Sequence, residues 1–148
     1  MTDRDRVDAI ETTVQKTYAW LHDLGEELGG APRKRAYQVL RGVLHPLRDR
    51  VPVDEAAHLG AQLPMLVRGI FYEAWDPSHK PEKMSVEEFF SRVQREALIE
   101  RADEAEEAAR AVVRLLYTHI APGEVDQVLD SLPREIHRAL AGEHQHAV

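Results

Sequence analysis

One pair of side chains in this sequence has a spacing that metal-binding helical proteins use. Glu55 and His58 are three residues apart, and di-iron bundles point two such Glu-x-x-His pairs and two further glutamates into their core. The second half of the chain repeats this segment with Gln127 in place of the histidine. His58 is also predicted to lie off the apolar face of its helix. We therefore predict no metal site and no cofactor.

Other residue types that carry chemistry are scattered or missing. Glu143, His144 and His146 could bind a divalent ion, but such groups near a chain end are usually solvated tail. The sequence has no glycine-rich phosphate loop and no motif for an activated serine. It has no cysteine, which excludes disulfides and thiolate metal sites. We predict that the protein is not an enzyme.

A row of basic and polar side chains, the basic stripe, is the first candidate binding surface. Its predicted partner-binding residues are Arg33, Lys34, Arg41, His45 and Arg48. Residues 33 to 50 carry six positive and one negative side chain, and residues 85 to 107 carry three positive and eight negative ones. Net charges of +5 and −5 would attract. The stripe is interpreted as a solvated helix face, as a surface for an acidic protein or a second copy, or as a nucleic-acid surface.

An arginine and several large apolar side chains along the fourth predicted helix, the aromatic flank, are the second candidate. Its residues are Met65, Arg68, Tyr72 and Trp75. Aromatic residues with arginine are typical of protein interfaces. Burial beneath the N-terminal helix, beside Tyr18 and Trp20, is the structural alternative.

The periodicity of apolar residues predicts an all-α fold of about eight helices with no strands. The first helix would bury Val7, Ile10, Val14, Thr17, Leu21, Leu24 and Leu28. The fourth helix, which starts at Pro64, is apolar almost all the way round and is predicted to run through the centre of the bundle. Ser85 and Glu88 have the spacing of a capping box, which predicts a helix start after Ser85.

The second half of the chain resembles the first when the sequence is shifted against itself by about 69 residues. The identical pairs are Ala36 and Ala105, Arg41 and Arg110, Val43 and Val112, Leu47 and Leu116, Glu55 and Glu124, Leu63 and Leu132, and Pro64 and Pro133. This match predicts a tandem duplication of a four-helix unit, packed as one pseudo-symmetric bundle. The first copy would span residues 14–75, the linker 76–83 and the second copy 83–143, within a single domain over 1–148.

Composition limits the kinds of partner. The 148 residues carry a net charge of −7, which disfavours nucleic-acid binding because phosphate contacts need basic surfaces. No apolar run reaches the roughly 20 residues of a membrane span, and the first residues lack the apolar core of a signal peptide. We expect a cytoplasmic protein with no membrane contact.

Two runs of the chain carry a resemblance to a known family. They extend from Ala36 to His45 and from Leu63 through Arg68 to Trp75, and Leu132-Pro133 repeats part of the second run. The sequence resembles the bacterial proteins grouped as domain of unknown function 2267 (DUF2267) over nearly its whole length. This resemblance implies an all-helical bacterial protein, and it carries over no catalytic residues.

Two functions remain open at this stage. We predict a non-enzymatic protein-interaction or regulatory module that binds an unknown protein or a second copy of itself through the basic stripe or the aromatic flank. The alternative is a helical bundle that binds a small ligand or a metal between its two halves. That pocket would be lined by Trp20, Tyr72 and Trp75, and Arg68 would orient the ligand.

Overall fold

A computed structural model describes residues 2–142 of the chain. Those residues form eight α-helices and a short 3-10 helix, Asp3–Asp5, and contain no strand. The α-helices are α1 (Asp8–Glu27), α2 (Arg33–Arg50), α3 (Val53–Ala61), α4 (Met65–Tyr72), α5 (Val86–Ala97), α6 (Ala102–His119), α7 (Pro122–Asp130) and α8 (Arg134–Ala141). The prediction of an all-α fold is confirmed.

Local sequence signals account for several helix ends. Gly29 and Gly30, with φ angles of 85° and 100°, turn the chain after α1 in a conformation that other residues rarely adopt. The predicted capping box is confirmed, because the Glu88 amide donates to Ser85 Oγ and the Ser85 amide donates to a Glu88 carboxylate oxygen. Within the described residues, no helix is both long and apolar enough to cross a membrane.

Helices α2 and α6 form the centre of the bundle. Helix α2 packs against α1, α3, α4, α5 and α6, and α6 packs against α1, α2, α5, α7 and α8. The prediction that the fourth helix runs through the centre is wrong. In α4 only Val67 and Phe71 are buried, whereas Met65 is 55% exposed and Leu66 is 43% exposed. Helix α4 lies at the edge of the bundle, so only one of its faces contacts the core.

A glycine permits a close helix crossing between the two halves. Gly42 of α2 faces Ala97 at the end of α5, and a Cβ atom at Gly42 would lie 2.6 Å from the Ala97 Cβ and 2.7 Å from the Ala97 nitrogen. Real Cβ atoms do not approach other atoms so closely. The two helices can therefore cross at this distance only because residue 42 has no side chain.

The helix bounds of the two halves follow the shift seen in the sequence. Ala102 and His119, which bound α6, each come 69 residues after Arg33 and Arg50, which bound α2. The same shift relates α3 to α7 and α4 to α8. Helices α3 and α7 also contact each other reciprocally: Glu55 accepts a hydrogen bond from Gln127, and His58 contacts Glu124. Such exchange of equivalent positions is what a two-fold relation produces.

The duplication stays a prediction with a direct geometric check. Superposing the Cα atoms of residues 36–71 on those of 105–140 in an experimental structure should bring the three helices of each half together through a rotation near 180°. As a comparison, residues 14–28 should superpose less well on 83–97, because α1 has 20 residues and α5 has 12. A different helix order or handedness in the two halves would remove the argument for duplication.

Candidate functional site

The structure divides the basic stripe into an exposed part and a buried part. Arg33 and Lys34, at the start of α2, are exposed. His45 is only 2% exposed and Arg48 only 5%, so the prediction that the whole stripe faces solvent or a partner is wrong for these two. The physical reason is that the polar side of α2 packs against the end of α4 and against α5.

Arg48 binds the carboxyl end of α4. Its Nη1 donates to the carbonyl oxygens of Phe71 at 2.7 Å and Glu73 at 2.6 Å, and its Nε donates to Asp49 Oδ1 at 3.1 Å. The last carbonyls of a helix have no partner within the helix and carry partial negative charge. A buried guanidinium therefore satisfies groups that α4 itself leaves unpaired.

His45 and Arg41 extend this contact along α2. The His45 Nε2 donates to the Ile70 carbonyl at 2.8 Å, and its Nδ1 lies 3.3 Å from Glu96 Oε1 of α5. Arg41 Nε donates to Glu73 Oε1 at 2.8 Å. That hydrogen bond lowers the pKa of the Glu73 carboxyl and raises the pKa of Arg41. Three of the five stripe residues are thus used within the chain.

Asp49 fastens the linker to the same side of α2. Its carboxylate accepts from Arg92 Nη2 at 2.7 Å and lies 3.8 Å from Lys80 Nζ, and its carbonyl accepts from the Glu82 amide at 2.8 Å. Arg92 also donates to the Glu82 carboxylate at 2.6 Å. These contacts form a polar clamp between the halves, in which the charges of Asp49, Arg92, Lys80 and Glu82 are paired.

Of the stripe, Arg33 and Lys34 remain at the surface. The Arg33 guanidinium lies 4.4 Å from the centroid of the Tyr18 ring, a cation–π contact. The structure shows no partner for Lys34 among the residues it describes. Any binding by the stripe to an acidic partner would therefore depend on these two residues.

The aromatic flank is half structural and half exposed. Arg68 donates to the carbonyls of Gly60 at 2.8 Å and Leu63 at 2.9 Å, so it caps the end of α3. Tyr72 packs over Gly60, and the ring of Trp75 lies 5.2 Å from that of Tyr72. Both rings are half-buried.

The aromatic residues of α1 lie elsewhere. Trp20 is buried and stacks on His119, with ring centroids 4.7 Å apart, and Tyr18 is exposed. Trp20 lines a groove with Lys16, Leu63 and His119, and that groove includes neither Tyr72 nor Trp75, which were predicted to share a pocket with Trp20. Periodicity places residues on a face of a helix, but it does not specify which helix will cover that face.

The two residues with metal-ligand spacing, Glu55 and His58, each contact a residue of α7. His58 contacts Glu124 and Glu55 contacts Gln127. In residues 2–142, no group of three or more histidine or acidic side chains is arranged to hold a metal ion. Glu143, His144 and His146 lie outside the described residues.

An exposed apolar surface at the junction of α1 and α4 was missed by the sequence reasoning. Val7 and Ile10 are 58% and 52% exposed, although they continue the apolar stripe whose later members, Leu21 and Leu24, are buried. The prediction that all seven stripe residues face the core is therefore wrong at this end. Met65 and Leu66 of α4 are the other exposed members. We name these four residues the α1–α4 surface.

Of the four residues of this surface, Met65 lines an open groove between α1 and α4. The Leu66 amide donates to Thr13 Oγ1 of α1 at 2.9 Å. A groove of about 430 Å³ runs beside this contact, with Asp8 and Thr12 of α1 on one side and Met65 and Arg68 of α4 on the other. The sequence carries no signal for this surface, because the apolar period of α1 does not show which of its residues other helices cover.

A second groove, the junction groove, lies where the two halves meet. It has a volume of about 580 Å³ and is bounded by the end of α1, the start of α2, the α5–α6 loop and α6. Its apolar lining consists of Leu28, Ala31, Val39, Ile99 and Ala108, and its polar lining consists of Arg35, Glu27, Glu104 and Glu107. The prediction of a pocket between the halves thus finds a counterpart, but with a different set of residues.

Comparison with known proteins gives a family and no activity. Residues 17–139 match a family model described as "Uncharacterized conserved protein (DUF2267)". No curated protein matches the chain. The match runs from the middle of α1 into α8, so it includes the junction groove and the polar clamp, whereas Val7, Ile10 and the α1 side of the first groove precede it.

Proposed function

We propose that this chain, which belongs to the DUF2267 family of uncharacterized conserved proteins, is a non-enzymatic interaction module that pairs with a second copy of itself. The family description supplies no activity, so the proposal rests on geometry. The observation that carries it is the α1–α4 surface: four large apolar side chains lie exposed on two adjoining helices.

Burying the exposed apolar side chains in an interface would stabilise the association of two molecules. Fully burying a side chain of this size contributes about 1.5–3 kcal/mol. Val7 and Ile10 stand on the same stripe as the buried residues of α1, and in the part of the chain that the structure describes they remain uncovered. A partner that packed on α1 ahead of Thr13 would cover Val7 and Ile10 with apolar contacts like those of the core.

The charges around the surface favour a second copy as that partner. Asp8 and Glu11 stand at the start of α1, and Lys16 of α1 and Arg68 of α4 line the same groove as Asp8. A two-fold axis through the surface would set the acidic end of one copy beside the basic end of the other. Such complementarity orients a pair and suppresses other arrangements.

Sedimentation of the purified chain over a wide concentration range tests this proposal. We expect a monomer–dimer equilibrium for the wild type, weakened by added salt because the flanking charges are exposed. The double variant Ile10→Glu/Met65→Glu should raise the dissociation constant at least about tenfold, since it places charges in the apolar centre of the interface. Both positions are exposed, so the thermal midpoint of the monomer should hardly change.

Leu98→Glu is the matched control. Leu98 is also an exposed apolar residue, but it follows α5 and belongs to neither the α1–α4 surface nor its groove. This variant should dimerise like the wild type. A wild type that stays monomeric at the highest soluble concentration would refute the proposal, and so would a Leu98→Glu variant that disrupts the dimer equally.

A further inference from the structure

We propose that the junction groove binds a small organic cation with an apolar body. The groove lies at the carboxyl end of α1, whereas the α1–α4 surface lies near its amino end, so this proposal does not depend on self-association. Its volume of about 580 Å³ falls within the roughly 300–1,000 Å³ of pockets that bind small molecules.

The floor of the groove is apolar and is contributed by both halves. Val39 of α2, Ile99 of the α5–α6 loop and Ala108 of α6 are buried residues whose side chains line it. Leu28 and Ala31 border it from the α1–α2 turn. A flexible alkyl or aryl group could therefore displace water from a surface with few hydrogen-bonding groups.

Within the described residues, Arg35 is the one cation that lines the groove, and three of its five N–H donors are already used. Arg35 Nη1 donates to the Ala97 carbonyl at 2.5 Å and to Gln38 Oε1 at 2.9 Å, and Nη2 donates to the Leu98 carbonyl at 3.4 Å. Arg35 thus satisfies the end of α5 in the way that Arg48 satisfies the end of α4.

The carboxylates of the groove differ in how they are paired. Glu27 and Glu107 both accept from Arg114, at 2.6 Å and 3.0 Å, and Glu107 also accepts from Arg110. Glu104 has no hydrogen bond or ion pair to its side chain within residues 2–142. The described residues that line the groove carry three carboxylates and one guanidinium, and this excess of negative charge favours a ligand with a positive charge. A phosphate or carboxylate ligand would be repelled by the same excess.

Isothermal titration calorimetry with two probes of equal chain length tests the assignment. We expect octylammonium to bind the full chain and octanoate to bind at least about tenfold more weakly, a difference of about 1.4 kcal/mol. Glu104→Lys should remove that preference, and Ala31→Leu should weaken binding of octylammonium because it narrows the groove. Position 104 is exposed, so the first variant should fold normally.

Glu135→Lys is the matched charge reversal at a site away from the groove. Glu135 is exposed on α8 and lines neither groove. Its substitution should leave octylammonium affinity within about twofold, because exposed charges beyond about 10 Å are largely screened. Equal binding of both probes, no binding of octylammonium, or equal effects of Glu104→Lys and Glu135→Lys would each overturn the proposal.

Discussion

An Arg48→Ala variant is expected to lose about 3–5 kcal/mol of its free energy of unfolding, the usual cost of removing one partner of a buried charge pair. The carbonyls of Phe71 and Glu73 would lose their donor, and Asp49 would lose one of its three cationic neighbours. Chemical denaturation monitored by circular dichroism measures the loss. Arg48→Lys should have a free energy of unfolding between those of the wild type and Arg48→Ala, since an ammonium cannot reproduce the forked donors of a guanidinium.

Lys34→Ala is the control for the same helix. Lys34 is exposed and unpaired in the described part of the chain, so its loss should change the free energy of unfolding by less than about 0.5 kcal/mol. If Arg48→Ala also lowered the free energy of unfolding by less than about 1 kcal/mol, the result would contradict the burial of the guanidinium and indicate that it contacts water. Because Arg48 is buried, reversing its charge would disturb folding and would not test the binding of a partner. A partner of the basic stripe must therefore be sought with Arg33 and Lys34.

A Gly42→Leu variant is expected to lose at least about 3 kcal/mol, the upper part of the range for overpacked cores. Even the first carbon of the new side chain would overlap the backbone of Ala97, so the side chain cannot escape by rotating. Helices α2 and α5 would have to separate. The same denaturation measurement applies, and an unchanged midpoint would contradict the close crossing of these helices.

Gly69→Leu separates this steric effect from helix propensity. Gly69 lies within α4, and nothing stands within 4 Å of a Cβ placed there. Replacing a helical glycine by a good helix former should therefore stabilise the protein by about 0.5–1 kcal/mol. The two substitutions are chemically identical, and opposite signs are expected for them.

Local patterns in the sequence predicted the helices well but not their surroundings. The repeated apolar positions of α2 and α6 are buried as expected, from Ala36 and Ala105 at the start to Val51 and Ile120 at the end. These positions contact several other helices at once, so apolar residues were required there whatever the details of the packing. A stripe of period 3.6 reports such a face directly.

The polar side of α2 could not be assigned from the same pattern. A row of basic residues looks alike whether it faces water or the unpaired carbonyls of another helix. The partners of His45 and Arg48, Ile70 and Phe71, are 25 and 23 residues away along the chain. The predicted burial of Val7 and Ile10 was wrong for a related reason, because periodicity does not reveal where the bundle ends.

Helix α2 makes the two halves energetically inseparable. It contributes to the core of the first half, and it also supplies the surface on which α5 and α6 of the second half rest. Melting of α5 would expose Gly42 to water, because Gly42 faces Ala97 of α5, and melting of α2 would remove the support of α5. The chain should therefore unfold in one all-or-none transition, although its sequence reads as two units.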